Sequence, residues 1–291
     1  MLASSVLQPF PASAIPVFAH RYGVSCETCH TILPELNSFG QTFRDAGYRW
    51  PAKVDTHGTL PVSMKGNLAY SSAPDPTGLP KAIVDEVEFL SFGPVGSNLT
   101  YRIEQYWIDG GNIGNTRDAY VEYKSSPMNA WHGFVRPIVG LQLGQFTLPL
   151  PNDPETMRPT ENHYALYNQT VGNNPFDFFN DGMGVNLYYQ NSFAEIHALA
   201  LKGHDPQSGL PTSGTDTMFA ARIGPPALSL WGYQYQGVRP LQPVRDSFIR
   251  RGIALTSTLG KAQTSLVLQN GNDSSPFGLG VSTVSSGGYL Q

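Results

Sequence analysis

At 291 residues the chain has room for one large domain or two small ones. Charged residues make up only 14%, against roughly 25% in soluble domains, while Gly (30), Pro (24), Tyr (14) and Phe (15) are plentiful. A net charge of -4 singles out no charged partner, no basic cluster suggests nucleic acid, and no stretch approaches the ~20 apolar residues of a membrane helix. Such a composition suits an all-β chain, a membrane β-barrel in particular.

Residues 1–14 read as a remnant or truncated signal peptide. Ala12-Ser13-Ala14 has the form of a signal-peptidase site, but no positive charge precedes it and two prolines interrupt the apolar stretch. Residues 15–57 form a first region built around Cys26-Glu27-Thr28-Cys29-His30. This is the C-x-x-C-H pattern of covalent c-type haem attachment. Two thiols form thioethers to the haem vinyl groups, and the adjacent imidazole is an axial iron ligand. The motif uses both cysteines of the chain. A structural zinc site needs four ligands, and no second C-x-x-C or H-x-x-x-H is present. A thioredoxin-like dithiol belongs in a βαβ pattern, which is also missing.

After the motif, Leu36, Phe39 and Phe43 fall at helical spacing, predicting a short amphipathic helix stopped by Gly47 and Pro51. Its apolar stripe serves either a haem face or the core of a small domain. About 40 residues are too few to bury both a haem and a core, so something else must wrap this region.

Residues 58–291 change to a period of two. Leu99, Tyr101, Ile103 and Trp107 share one face of a segment whose other face carries Thr100, Arg102, Glu104 and Tyr106. Ala119, Val121 and Tyr123 alternate with Tyr120, Glu122 and Lys124; Val139, Leu141 and Leu143 alternate with Gly140, Gln142 and Gly144; Trp231, Tyr233 and Tyr235 alternate with Gly232, Gln234 and Gln236. Leu266 and Leu268 flank Val267 and alternate less cleanly. Segments near ten residues with one apolar and one polar or glycine face match transmembrane barrel strands. A β-sandwich also alternates, but its core would not bury Arg102, Glu104, Glu122 and Lys124 unpaired. Roughly eleven or twelve strands are expected, with Leu148 to Asp181 as a loop or partial plug. The fold class is therefore mainly β: a porin-like transmembrane barrel with a small N-terminal α-helical haem segment.

With these motifs in place, the chain resembles the fused monohaem cytochrome–porins of bacterial outer membranes, including the iron oxidases of iron-oxidising bacteria. The resemblance rests on Pro16-Val17-Phe18-Ala19, on Tyr22 to His30, on Pro34 to Gly40 and on Phe43 to Tyr48; Leu143 to Leu150 resembles a barrel strand and loop of such porins. It implies one haem c on Cys26 and Cys29, with His30 as proximal ligand. It also implies an outer-membrane location, an extracellular electron donor such as Fe(II), a periplasmic carrier as acceptor, and outer-membrane lipid around the barrel. The chain departs from the family in having His20 where Arg or Lys is expected. It also stops at Gly288-Tyr289-Leu290-Gln291 without a terminal aromatic, which leads us to expect a barrel lacking its last strands, a complete twelve-stranded barrel being the alternative.

Met64, His57 and His20 are the candidates for the distal iron ligand, an open site being the alternative. His132, His163, His197 and His204 read as structural or solvated. Asp85, Glu86 and Glu88 could attract a cation or simply form a solvated face. The competing function is a solute channel whose haem segment is a structural plug or redox sensor. A soluble haem peroxidase would need distal acid–base residues, and no such constellation is present.

Overall fold

The computed structural model of the chain describes residues 16–32, 35–52, 61–74, 80–153, 166–168, 170–171, 174–178, 182–204, 211–225, 227–241, 244–259, 262–274 and 281–290. The expected signal remnant, His57 and His163 lie outside them. Among the described residues no helix is long and apolar enough to cross a membrane.

The N-terminal region holds helix α1 (Pro16–Tyr22), a 3-10 turn over Cys26–Thr28, the two-stranded ladder of β1 (His30–Ile32) and β2 (Glu35–Leu36), and helix α2 (Ser38–Asp45). Leu36 was expected in the helix but lies in β2. Asn37 caps α2 by accepting a hydrogen bond from the Gly40 amide at 3.0 Å, which fixes the start at Ser38. The helix ends where Gly47 and Tyr48 both turn left-handed, at φ +64 and +60. Glycine takes that conformation freely, whereas for Tyr48 it costs roughly 1–2 kcal/mol. The bend is held because the Tyr48 ring stacks on Phe18 at 5.4 Å and packs on Phe92 at 5.2 Å.

The rest is a meander: β3 (Val62–Pro74), β4 (Pro80–Val95), β5 (Leu99–Asp109), the two-residue β6 (Asn112–Ile113), β7 (Thr116–Lys124), β8 (Ile138–Phe146), β9 (Gly182–Gln190), β10 (Ala194–His204), β11 (Pro211–Ile223), β12 (Ser229–Leu241), β13 (Val244–Leu259), β14 (Ala262–Asp273) and β15 (Val281–Leu290). Each of the twelve long strands pairs antiparallel with its chain neighbours, β6 hanging off β5. No pairing joins β3 to β15 among the described residues.

The sheet is strongly curved. Five strands lie between β5 and β12, so in a flat sheet these two would stand roughly 29 Å apart at ~4.8 Å per step. Yet Arg102 of β5 and Trp231 of β12 line a single cavity of about 290 Å³. On the concave face Arg102, Glu104, Asp118, Glu122 and Lys124 are buried, while Leu99, Ile103, Val121, Tyr123, Val139, Leu143, Leu187 and Leu266 stand exposed on the convex face. The expected division of faces holds there but reverses at β12. Trp231, Tyr233 and Tyr235 point inward and Gln234 and Gln236 outward, because an inserted segment needs an apolar wall. Leu148, Leu150, Tyr167, Phe176 and Phe178 fold into the concavity and bury themselves against Leu199, Met218, Tyr233, Tyr235 and Phe248. Gln269 donates to the Leu166 carbonyl at 3.0 Å and pins the same segment to β14.

Candidate functional site

The N-terminal region supplies what the sequence asked of a wrapper only by borrowing from the sheet. Phe18, Tyr22, Phe43 and Tyr48 form one cluster with Leu90 and Phe92 of β4, joined by Phe39, Trp50 and Trp131. Phe39 meets Trp50 at 4.9 Å and Trp131 at 5.2 Å, edge to face in both cases. Polar latches fix the region to the rim carrying connections 96–98 and 125–137. Arg49 donates to the carbonyls of Gly96 and Leu99 at 2.7 Å each, Trp131 Nε1 donates to the Arg49 carbonyl at 2.7 Å, and Lys124 Nζ donates to the Asp45 carbonyl at 2.8 Å. Arg44 pairs with Asp153 of the inserted segment at 2.8 Å.

Arg49→Ala is therefore expected to release residues 16–52 without unfolding the sheet. Two charge-assisted bonds to carbonyls, each worth about 1.5–3 kcal/mol before non-additivity, are lost. Limited proteolysis should cut this region at least roughly ten-fold faster than in the wild type. Unchanged cutting would mean the aromatic cluster alone holds it.

Within the region the motif forms a tight turn: Thr28 N donates to Ser25 O and Cys29 N to Cys26 O, both at 3.1 Å. Both cysteines are free and half-buried. Burial pushes the Cys29 thiol above its ordinary pKa, the neighbouring Cys26 adding to it. His30 Nδ1 lies 3.2 Å from the Glu35 carbonyl. A carbonyl only accepts, so Nδ1 carries the proton in this contact, which sets the ring's tautomer and orientation. The Glu35 carboxyl is buried and its pKa is raised by that burial. Glu27 within the motif and Thr31 and Ile32 just after it are exposed, so the turn opens outward from the rim while its back rests on α2.

The donor set fits a covalently held haem: two thiols three residues apart on an ordered turn, an imidazole of fixed tautomer beside them, and aromatic side chains behind. Of the distal candidates, His57 lies outside the described residues. Met64 is 66% exposed on the convex face of β3, opposite the face on which the motif region packs. His20 lies within α1. His197 is structural, stacked on Tyr188 at 5.3 Å and bonded to Glu195 at 2.8 Å. Glu86 and Glu88 face Lys65 at 2.8 and 3.4 Å, so part of their charge is neutralised. Among the described residues no group of three or more His, Cys, Asp or Glu side chains could hold a metal ion.

Sequence reasoning missed two parts of the site. Asn37 and Arg49 both act through backbone carbonyls, which leave no pattern in side-chain spacing. Asn before an amphipathic stretch is nonetheless a helix-start signal. Compared with known proteins, the chain matches no family model and no curated protein.

Proposed function

We propose that the chain is an outer-membrane electron-transfer protein of the fused cytochrome–porin type. In this reading Cys26 and Cys29 carry one haem c, His30 is its proximal ligand, and the curved sheet closes into a porin-like barrel around the N-terminal region. The observation that carries the reading is the Cys26-x-x-Cys29-His30 turn with the His30 ring held through Nδ1. When bound, haem supplies one-electron redox chemistry at its iron.

Lipid around the barrel accounts for the exposed convex face, since an aliphatic and aromatic surface spread over so many strands has no place in water. Short turns face the periplasm in such barrels, and on this reading the rim that carries the motif is the periplasmic one, open to a periplasmic carrier. The donor, an extracellular reductant such as Fe(II), approaches from the other rim into the 290 Å³ cavity. Gln41, Arg44, Asp45 and Tyr48 close the near side of that cavity, and only the ~10 Å thickness of a helix lies behind them. The chain's own residues thus orient the imidazole, bring thiols together and bar lipid from the site.

Visible spectra of air-oxidised protein in outer-membrane vesicles test the proposal. A c-type α-band appearing on anaerobic addition of Fe(II) is expected. A band appearing only with dithionite moves the donor elsewhere, and no haem band at all sinks the reading. The same polar cavity favours a second function, a solute channel plugged by the haem segment, for which solute flux through reconstituted protein is the distinguishing result.

A further inference from the structure

The turn between the two cysteines is held from within by two backbone hydrogen bonds. Its 3-10 segment lacks a side-chain cap, since Ser25 makes no capping hydrogen bond, and Glu27 is exposed. One residue supplies what is missing. Asn37 Nδ2 donates to the Glu27 carbonyl at 3.1 Å and to the Thr28 carbonyl at 3.2 Å, the two residues between the cysteines. Its backbone amide donates to the Cys29 carbonyl at 2.9 Å. Its Oδ1 meanwhile caps α2. From this geometry we infer that Asn37 is a positioning residue for haem attachment: its carboxamide clamps the Cys26–Cys29 turn so that both thiols are presented together beside His30. This inference rests on the haem reading proposed above.

The chemistry demands an amide. Only a side chain with two N–H donors and a carbonyl acceptor can serve two turn carbonyls and a helix amide at once. Aspartate has the same shape and is an equally good N-cap, but it offers two acceptors and no donor. Set against the Glu27 and Thr28 carbonyls, it repels what Asn37 attracts. Asn37→Asp therefore separates the clamp from the cap, a distinction that Asn37→Ala cannot make.

The experiment compares full-length wild type, Asn37→Asp and Asn37→Ser, the last also a good cap but without an amide donor. Haem per chain is measured in a host that attaches haem c. The rate of N-ethylmaleimide labelling of the two thiols is measured on the same chains produced without haem. Heat-modifiability on gels reports the folded sheet. Both variants should keep wild-type heat-modifiability, carry roughly ten-fold less haem per chain, and label roughly ten-fold faster when haem-free. Wild-type haem content and labelling in Asn37→Asp and Asn37→Ser would reduce Asn37 to a helix cap and overturn the inference. A wild type carrying no haem would defeat the electron-transfer reading instead, while the labelling contrast would still decide whether Asn37 positions the thiols.

Discussion

Gly40→Ala is expected to lower covalent haem loading by roughly ten-fold or more, even though alanine is the better helix former by about 1 kcal/mol. A Cβ at this position would run into the carbonyl oxygen of Cys29 and come within 3.0 Å of both its carbonyl carbon and Leu36 Cδ2. The obstacle is motif backbone, so relief requires moving Cys29 and, with it, His30. Overpacking of this kind typically costs 1–3 kcal/mol, where each 1.4 kcal/mol is a factor of ten. The measurement is haem staining and pyridine haemochrome absorbance per chain. A variant that loads like wild type and melts higher would show that α2 does not hold the motif from behind.

Arg102→Leu should be the most destabilising single change in the sheet wall, at about 3–5 kcal/mol. Arg102 pairs with Glu104 at 2.5 Å and with Asp118 at 2.6 Å, and its guanidinium lies 5.0 Å from the Phe92 ring centroid. All three charged side chains are almost wholly buried. Leucine would remove the cation these two carboxylates share, leaving them, among the described residues, only Arg117, 3.9 Å from Glu104. Adding Asp118→Asn to Arg102→Leu should recover part of the loss, because one uncompensated charge disappears. Denaturant midpoints of the lipid-reconstituted protein give the comparison. A loss under about 1 kcal/mol would mean that water in the concavity solvates these groups as it does a surface pair.

Much of this was legible beforehand, for reasons that differ between regions. Arg102, Glu104, Glu122 and Lys124 betrayed the concave face of β5 and β7, because charges at every second position are tolerated only where they can pair. Strand number was close to readable, since turn residues punctuate a meander regularly. The face of β12 was not: Trp231, Tyr233 and Tyr235 look outward-facing by composition, and only the inserted segment, which no local pattern ties to β12, explains their burial. The exposure of Met64 on the convex face was illegible for a related reason. Closeness in sequence to the motif says nothing about which side of β3 the side chain leaves from. The motif itself was plain at first sight, whereas the carbonyl contacts of Asn37 that shape it depend on a fold around residues 26–40.

The separation in sequence of the latches bears on how the protein comes to be assembled. Arg44 meets Asp153 across 109 residues, Arg49 meets Trp131 across 82, and Asp45 meets Lys124 across 79. The bonds within the motif region span no more than 10. Closing a long loop costs more entropy than closing a short one, and chains dominated by distant pairings are slow to fold. The order of events follows from this difference: residues 26–40 acquire their shape early, while their seat on the rim awaits strands made much later. On the haem reading proposed above, the thiols would thus be presented together before the strands that seat the region on the rim are in place.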